Sequence, residues 1–304
     1  MPRPHDIRRG ALYVIGAAFA FAIMAALTKH LAAGMSNEML VWARNLFAVV
    51  FLSPLLVRYP PQQWVTHHWR GHLVRATSGL LAMYCMFWAI PRLDLAEALL
   101  LNQTASLFIP FFAWLALGER VSVRTGVALA IGFTGIMLVL KPGAGVFTWA
   151  ALVGLASGML AAVSMVSIRS MAGVEPSTRV VLYFSVLATL GSTIPLFWAW
   201  QTPSLLEWFA LAALGALAVT GQLLITRGYM SAPAAQVGPF TFSSVLFAAL
   251  FGWLLWDESI DVLSLYGGLL VIAAGILVVV RRWPRVLRRT PQSPNAHPVG
   301  GGDE

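Results

Sequence analysis

Charge is scarce in this chain. Asp, Glu, Lys and Arg make up only 11% of its 304 residues, while 59% are hydrophobic. Ordinary soluble domains carry about 25% charged residues. A soluble fold of this length has no single core able to hide so much apolar surface, so the globular soluble class is excluded. Cysteine is nearly missing too: Cys85 stands alone, which rules out an internal disulfide and a thiolate metal cluster. There is no HExxH pair and no Gly-rich phosphate-cradling loop, so neither zinc hydrolysis nor ATP-driven work by this chain is expected. His67, His68 and His72 fall in the first loop without a ligand set, and a solvated or interfacial role is expected for them. No grouping of acid, base and nucleophile suggests an enzyme, and no cofactor or metal is implied. The basic excess, 20 Lys+Arg against 12 Asp+Glu, would suit nucleic acid if it were clustered on one surface. It is instead spread over short loops and a C-terminal tail, so no nucleic-acid partner is expected.

Long apolar runs are abundant. A spanning helix needs roughly 20 predominantly apolar residues. Ten runs qualify, at 10–28, 38–57, 72–91, 95–117, 122–140, 147–168, 178–200, 205–226, 233–256 and 262–281. The first is read as a retained helix, because its apolar run is too long for a signal peptide and lacks a small-residue cleavage site. Residues 1–9 are a short N-terminal segment, and 282–304 form a basic tail rich in Pro and Gly, expected to be disordered. If the N-terminus is cytoplasmic and the runs alternate across the bilayer, sixteen Arg fall inside, while Lys29, Arg92 and Lys141 fall outside. That asymmetry follows the positive-inside rule and puts both termini in the cytoplasm. The predicted fold is an all-α integral membrane protein of ten transmembrane helices.

The sequence also repeats. A shift of 139 to 141 residues places Lys29 on Arg169, Pro54 on Pro195, Glu97 on Gln236, Thr104 on Ser243, Phe108 on Phe247, Glu119 on Glu258 and Gly135 on Gly275. The halves run from 10 to 140 and from 147 to 281, each with five runs. An odd number of spans per copy turns the second copy upside down in the membrane. Inverted repeats of this kind are a common plan of secondary transporters, with the substrate site at the interface of the halves.

Several short pieces recur in order: Arg44-Asn45-Leu46-Phe47-Ala48, Ala96-Glu97-Ala98, Leu117-Gly118-Glu119-Arg120, Ala232-Pro233-Ala234-Ala235, Gly238-Pro239-Phe240 and Trp256-Asp257-Glu258. Their order, spacing and duplication resemble the drug/metabolite transporter superfamily, specifically its ten-helix EamA-type members. Asp257 departs from the pattern of the first half, where Gly118 stands. The resemblance implies a central cavity lined by both halves and export of a small amino-acid-like or amphipathic metabolite, an amino-acid-derived metal chelator among the choices. Import, for instance of S-adenosylmethionine, is the alternative within the class. A membrane enzyme or lipid scramblase is the alternative outside it. The partners expected are a small-molecule substrate, the lipid bilayer of the cell inner membrane and a coupled proton, with monomer and homodimer both open.

At 100° per residue, Glu97, Thr104 and Phe108 share one helix face, and Gln236, Ser243 and Phe247 share the mirrored one, with Phe240 between. These stripes are candidates for the cavity lining. Glu97 is either a substrate- or proton-carrying group or an interfacial carboxylate near Arg92. Arg44 either pairs with a substrate carboxylate or with Glu97, or snorkels to the interface. Tyr84 and Trp88, one turn apart, offer an aromatic wall, and Gln222 is a further polar candidate. Asn102 and Ser106 lie on another face and are expected to bond a neighbouring helix. Glycines in the fifth and tenth runs, Gly126, Gly132, Gly135, Gly267, Gly268 and Gly275, are expected to let these helices pack closely within one protomer.

Overall fold

The structure, a computed structural model, describes residues 7–58, 65–118, 123–140, 148–171, 174–231, 238–259 and 261–280. All regular structure among them is helical. In chain order the helices are α1 (Ile7–Leu31), α2 (Asn37–Arg58), α3 (Trp69–Ala89), α4 (Leu95–Gln103), α5 (Ala105–Leu117) and α6 (Val123–Leu140). The second half of the chain supplies α7 (Trp149–Ser170), α8 (Ser177–Thr193), α9 (Leu196–Ala199), α10 (Leu205–Ser231), α11 (Ser243–Trp256) and α12 (Val262–Val280). Tight 3-10 turns occupy Ile90–Arg92 and Gly238–Phe242. Gln236, Glu119, Lys141 and the C-terminal tail lie outside the described residues.

Among the described residues, five stretches are long and apolar enough to cross a membrane: Arg8–Leu31, Trp69–Arg92, Leu95–Ala116, Trp149–Ile168 and Leu205–Ile225. Gly126–Val139, Arg179–Thr193, Phe240–Trp256 and Val262–Leu277 are shorter apolar helices. Their outward faces are apolar as well. Phe197 and Val123 are each 88% exposed, and Leu206 is 79% exposed. Large apolar side chains spread over a whole bundle surface are a liability in water; in hydrocarbon they are the lipid-facing side, and helices satisfy the backbone there.

Two runs that read as continuous helices are broken at matching places. Helix α4 stops at Gln103 and α5 starts at Ala105, with Thr104 in a 3-10-like bend (φ −60°, ψ −13°). The mirrored break is the 3-10 turn Gly238–Phe242, whose last residue has φ −67° and ψ −13°. The chemistry is shared. Thr104 donates its hydroxyl to Leu101 O at 2.5 Å, and Ser243 donates to Phe240 O at 2.6 Å. Such back-bonding hydroxyls bend helices. Pro110 downstream and Pro239 in the second turn also deny a backbone donor. Pro195 ends a helix outright: α8 stops at Thr193 and only the four residues of α9 follow. Its repeat mate Pro54 lies within the continuous α2.

The helices pair across the two halves. Helix α1 packs along α10, and its counterpart α7 along α3; α2 packs on α10, and α8 on α3; α1 packs on α11, and α7 on α4 and α5. Helices α2 and α8 face each other, as do α6 and α12. Exchanging the first half for the second leaves this set of main pairings unchanged. Close approach of α6 and α12 needs glycine. A Cβ on Gly135 would stand 2.6 Å from Gly267 O, and one on Gly267 would stand 2.7 Å from Gly135 O. Gly132 and Gly275 are similarly occupied by Leu107 and Phe242, whereas Gly126 faces open space and takes no part. The glycine contact is thus made inside one chain.

Candidate functional site

One end of the bundle is fastened across the halves. Lys29, at the end of α1, forms an ion pair with Glu258, which follows α11, and donates to Leu93 O at 2.6 Å. Both side chains are 11% exposed. The other carboxylate oxygen of Glu258 accepts the Leu95 N–H at 2.7 Å, capping the start of α4 from the opposite half. Trp256 stacks its ring under the ammonium at 5.5 Å. Glu258 reaches this position because α11 ends in a left-handed residue, Asp257 (φ 55°), with the Glu258 N–H bonded back to Gly252 O at 3.2 Å. Gly118, at the end of α5, has the same conformation (φ 66°). The Gly-to-Asp departure therefore keeps the cap, at the cost of a Cβ in the left-handed region, which Asp tolerates better than most residues.

Midway along the bundle the two helix breaks touch. Gln103 donates from Nε2 to Thr241 O at 2.9 Å and approaches Ser244 Oγ at 3.4 Å, tying the α4 break to the 3-10 turn of the other half. Asn102 donates to Ser157 Oγ on α7 at 3.1 Å, a bond to a neighbouring helix as the sequence suggests. Thr104 is 1% exposed and sits against Gly158, where a Cβ would meet its Oγ1 at 2.5 Å.

Two arginines are buried among α2, α3, α7 and α8. Arg44 is 5% exposed and Arg75 is 8% exposed. Arg44 donates from Nη1 to its neighbour Asn45 at 2.9 Å. Arg75 donates to Ser164 Oγ and lies over the Phe184 ring at 4.1 Å. Gly79 makes the room: a Cβ there would stand 2.6 Å from Arg75 Nη1. Among the described residues, the Nε of each arginine and the Nδ2 of Asn45 have no partner. A guanidinium at the centre of a membrane helix costs roughly 2.5–3.5 kcal/mol on insertion scales. The sequence marks Arg44 as a candidate but places Arg75 only among the sixteen arginines of the cytoplasmic side. Its burial depends on α7 and α8, over eighty residues away, and leaves no local mark.

His72 needs correction in the same sense. The sequence puts it with His67 and His68 in a solvated loop; His67 and His68 are exposed, but His72 is 1% exposed within α3. It stacks on Tyr183 at 4.5 Å and lies 3.7 Å from Glu175 Oε2. Glu175 accepts from Thr66 at 2.5 Å and from Arg179 at 2.8 Å. Burial pushes the Glu175 carboxyl up, but these two hydrogen bonds and the nearby charges of Arg179 and His72 hold it below its usual value. A cavity of about 400 Å³ opens nearby, lined in part by His67, His68, Arg70 and Ser170. Among the described residues no group of three or more His, Cys, Asp or Glu is placed to hold a metal ion.

The other candidate residues are dispersed. Glu97 is half-buried at the start of α4, where its Oε1 accepts from Ser264 on α12 at 2.5 Å. Phe108 meets Phe133 of α6 edge-on at 5.5 Å. The bend at Thr104 interrupts the single face that a continuous helix would give to Glu97, Thr104 and Phe108. Phe247 packs against Phe19 of α1 at 5.1 Å, while Phe240 is 39% exposed. Tyr84 is half-buried on α3, and among the described residues its hydroxyl has no partner. Trp88 lies under the Arg92 guanidinium at 4.0 Å. Gln222 is half-buried on α10.

The model of the EamA-like transporter family matches the chain twice, at residues 8–141 and 148–281. The chain belongs to the EamA-like transporter family. Among similar EamA-like chains is the pseudopaline exporter CntI of Pseudomonas aeruginosa (strain UCBPP-PA14), 32% identical over 89% of this chain and 95% of that one. A riboflavin transporter of Rhizobium johnstonii is 30% identical over 89% of this chain and 90% of its own. A solved structure titled "Crystal structure of protein" shares the fold with a TM-score of 0.62 at 18% identity, covering 88% of this chain and 95% of that one. As an EamA-like protein the chain is a membrane transporter of small molecules, not an enzyme.

Proposed function

We propose that this transporter exports a small amino-acid-like or amphipathic metabolite by alternating access. Ten spans form two inverted five-helix halves in the bacterial inner membrane, with both termini in the cytoplasm. The observation that carries the reading is the Lys29–Glu258 latch, which joins α1 of one half to the end of α11 of the other at one end of the bundle. Its repeat mates by sequence are Arg169 and Glu119, a second cation and carboxylate. A pair of latches used in turn is what two inverted halves need to open one face at a time. The exchangeable helix pairings and the bonded pair of helix breaks support the same plan. Export rather than import follows the pseudopaline exporter, which is similar along nearly its whole length. The driving force is a substrate gradient or a coupled proton, and Glu97 is the carboxylate proposed to carry that proton.

Comparative metabolite profiling of cytoplasm and medium tests export directly. In cells lacking the protein, the cargo should accumulate inside and fall in the medium. Accumulation outside would reverse the direction, and unchanged profiles under conditions where the protein is made would refute transport of a native metabolite.

A further inference from the structure

We infer that Arg44 and Arg75 form an anion subsite for the cargo, and that the cargo therefore carries a carboxylate. The inference rests on the transport reading above and adds the chemistry of what is carried. Other cations in the described bundle are placed conventionally: Lys29 pairs with Glu258, Arg179 pairs with Glu175, and Arg92 is exposed. Arg44 and Arg75 are the contrary case. Each is more than nine-tenths buried, each has an unpartnered Nε, and among the described residues no carboxylate pairs with either. The helices that carry them, α2 and α3, pack on one another, and both pack on α8. Two like charges buried together without a counter-charge are an incomplete arrangement, and one bound anion completes it.

The architecture does not itself require the guanidinium. By the shift of 141 residues that superposes Pro54 on Pro195, Arg44 falls on Ser185. Ser185 is equally buried in α8, at 3% exposure, so the mirrored helix packs there without any charge. The Arg44 charge is thus an addition to one half only. The positive pair is also set between the halves: Arg44 and Arg75 stand on α2 and α3, and the Arg75 head meets Ser164 on α7 and Phe184 on α8. Ser164 and the space left by Gly79 hold the Arg75 head in place, which orients its free donors. A guanidinium fork matches the planar oxyanion of a carboxylate, and phosphate shares that chemistry. At 1.5 Å per residue each arginine lies roughly 10 Å in from the nearer end of its helix, away from the plane of lipid phosphates.

The test is thermal unfolding of the purified protein in sodium acetate, in inorganic phosphate, in short-chain phosphatidylglycerol and in chloride at equal ionic strength. Acetate should raise the midpoint above that in chloride. Arg44→Gln and Arg75→Gln should lose that rise, and without acetate they should be no less stable than the wild type, since each removes an unpaired buried charge. Arg44→Lys and Arg75→Lys, which keep the charge without the fork, should weaken the apparent acetate affinity by roughly tenfold. No acetate-specific rise, a rise that survives in both Gln variants, or Gln variants less stable without acetate would overturn the subsite. An equal or larger rise from phosphate or phosphatidylglycerol would overturn the carboxylate assignment. Flux into proteoliposomes separates the two readings. Acetate stabilisation without flux of any carboxylate cargo would fault transport and uphold the subsite; carboxylate flux undiminished in Arg44→Gln would do the reverse.

Discussion

Removing the carboxylate of Glu258 should open the end of the bundle that it fastens. Glu258 makes two bonds there, the ion pair to Lys29 and the cap on the Leu95 N–H. Breaking a buried ion pair costs about 3–5 kcal/mol, and losing a helix cap adds about 1 kcal/mol. The 11% exposure of both side chains leaves some solvation in place, so about 3 kcal/mol is the working figure. That corresponds to a shift of roughly 150-fold in the equilibrium between closed and open at this end. The assay is labelling by a membrane-impermeant maleimide of a cysteine at Leu99, 5% exposed on α4 beneath the latch, in a Cys85→Ser background. Glu258→Gln and Lys29→Met should both speed labelling by well over tenfold. The exchange Lys29→Glu with Glu258→Lys should recover only part of the protection, because the lysine cannot accept the Leu95 N–H. Labelling as slow in Glu258→Gln as in the parent would refute the latch.

Further outcomes follow from local chemistry. Asp257→Gly should raise the unfolding midpoint by the equivalent of about 0.5–1 kcal/mol, since glycine takes the φ of 55° without a Cβ penalty. Gly135→Leu should lower it sharply or abolish folding, because even a Cβ there meets Gly267 O at 2.6 Å. The Glu175 carboxyl titrates below its usual value, so its stabilisation is complete above pH about 4.5 and is lost as pH falls through its folded value. Glu175→Gln should therefore destabilise at neutral pH and flatten the loss of stability on acidification below that point, as read by unfolding midpoints across pH. Glu97→Gln should reduce flux in proteoliposomes while leaving folded protein in the membrane, and full flux would remove Glu97 from the coupled step.

The apolar helices and the glycine contact of α6 with α12 were legible because each depends on local composition or on a repeated pattern. Gly135 and Gly267 stand out as small residues in apolar runs, and small residues are what close helix crossings use. What could not be read depends on contacts between distant segments. Lys29 and Glu258 are each visible as charges at helix ends, but their pairing spans 229 residues. His72 reads as a loop residue because three histidines cluster in six positions; Tyr183 and Glu175 bury it from the other half. The stripe through Glu97, Thr104 and Phe108 assumed an unbroken helix. Thr104 back-bonding to Leu101 bends it, and that preference competes with helix continuation in a way periodicity does not register. Gln103, which joins the two breaks, was missed because it lies off that stripe.

The most direct test of two halves lying in opposite senses is sidedness at their equivalent caps, Gly118 after α5 and Asp257 after α11, both exposed. Single cysteines introduced by Gly118→Cys and Asp257→Cys in a Cys85→Ser background would be labelled in intact cells with an impermeant reagent. The inverted arrangement predicts that position 257 reacts from outside and position 118 only after the membrane is permeabilised. Reaction of both from the same side would contradict it.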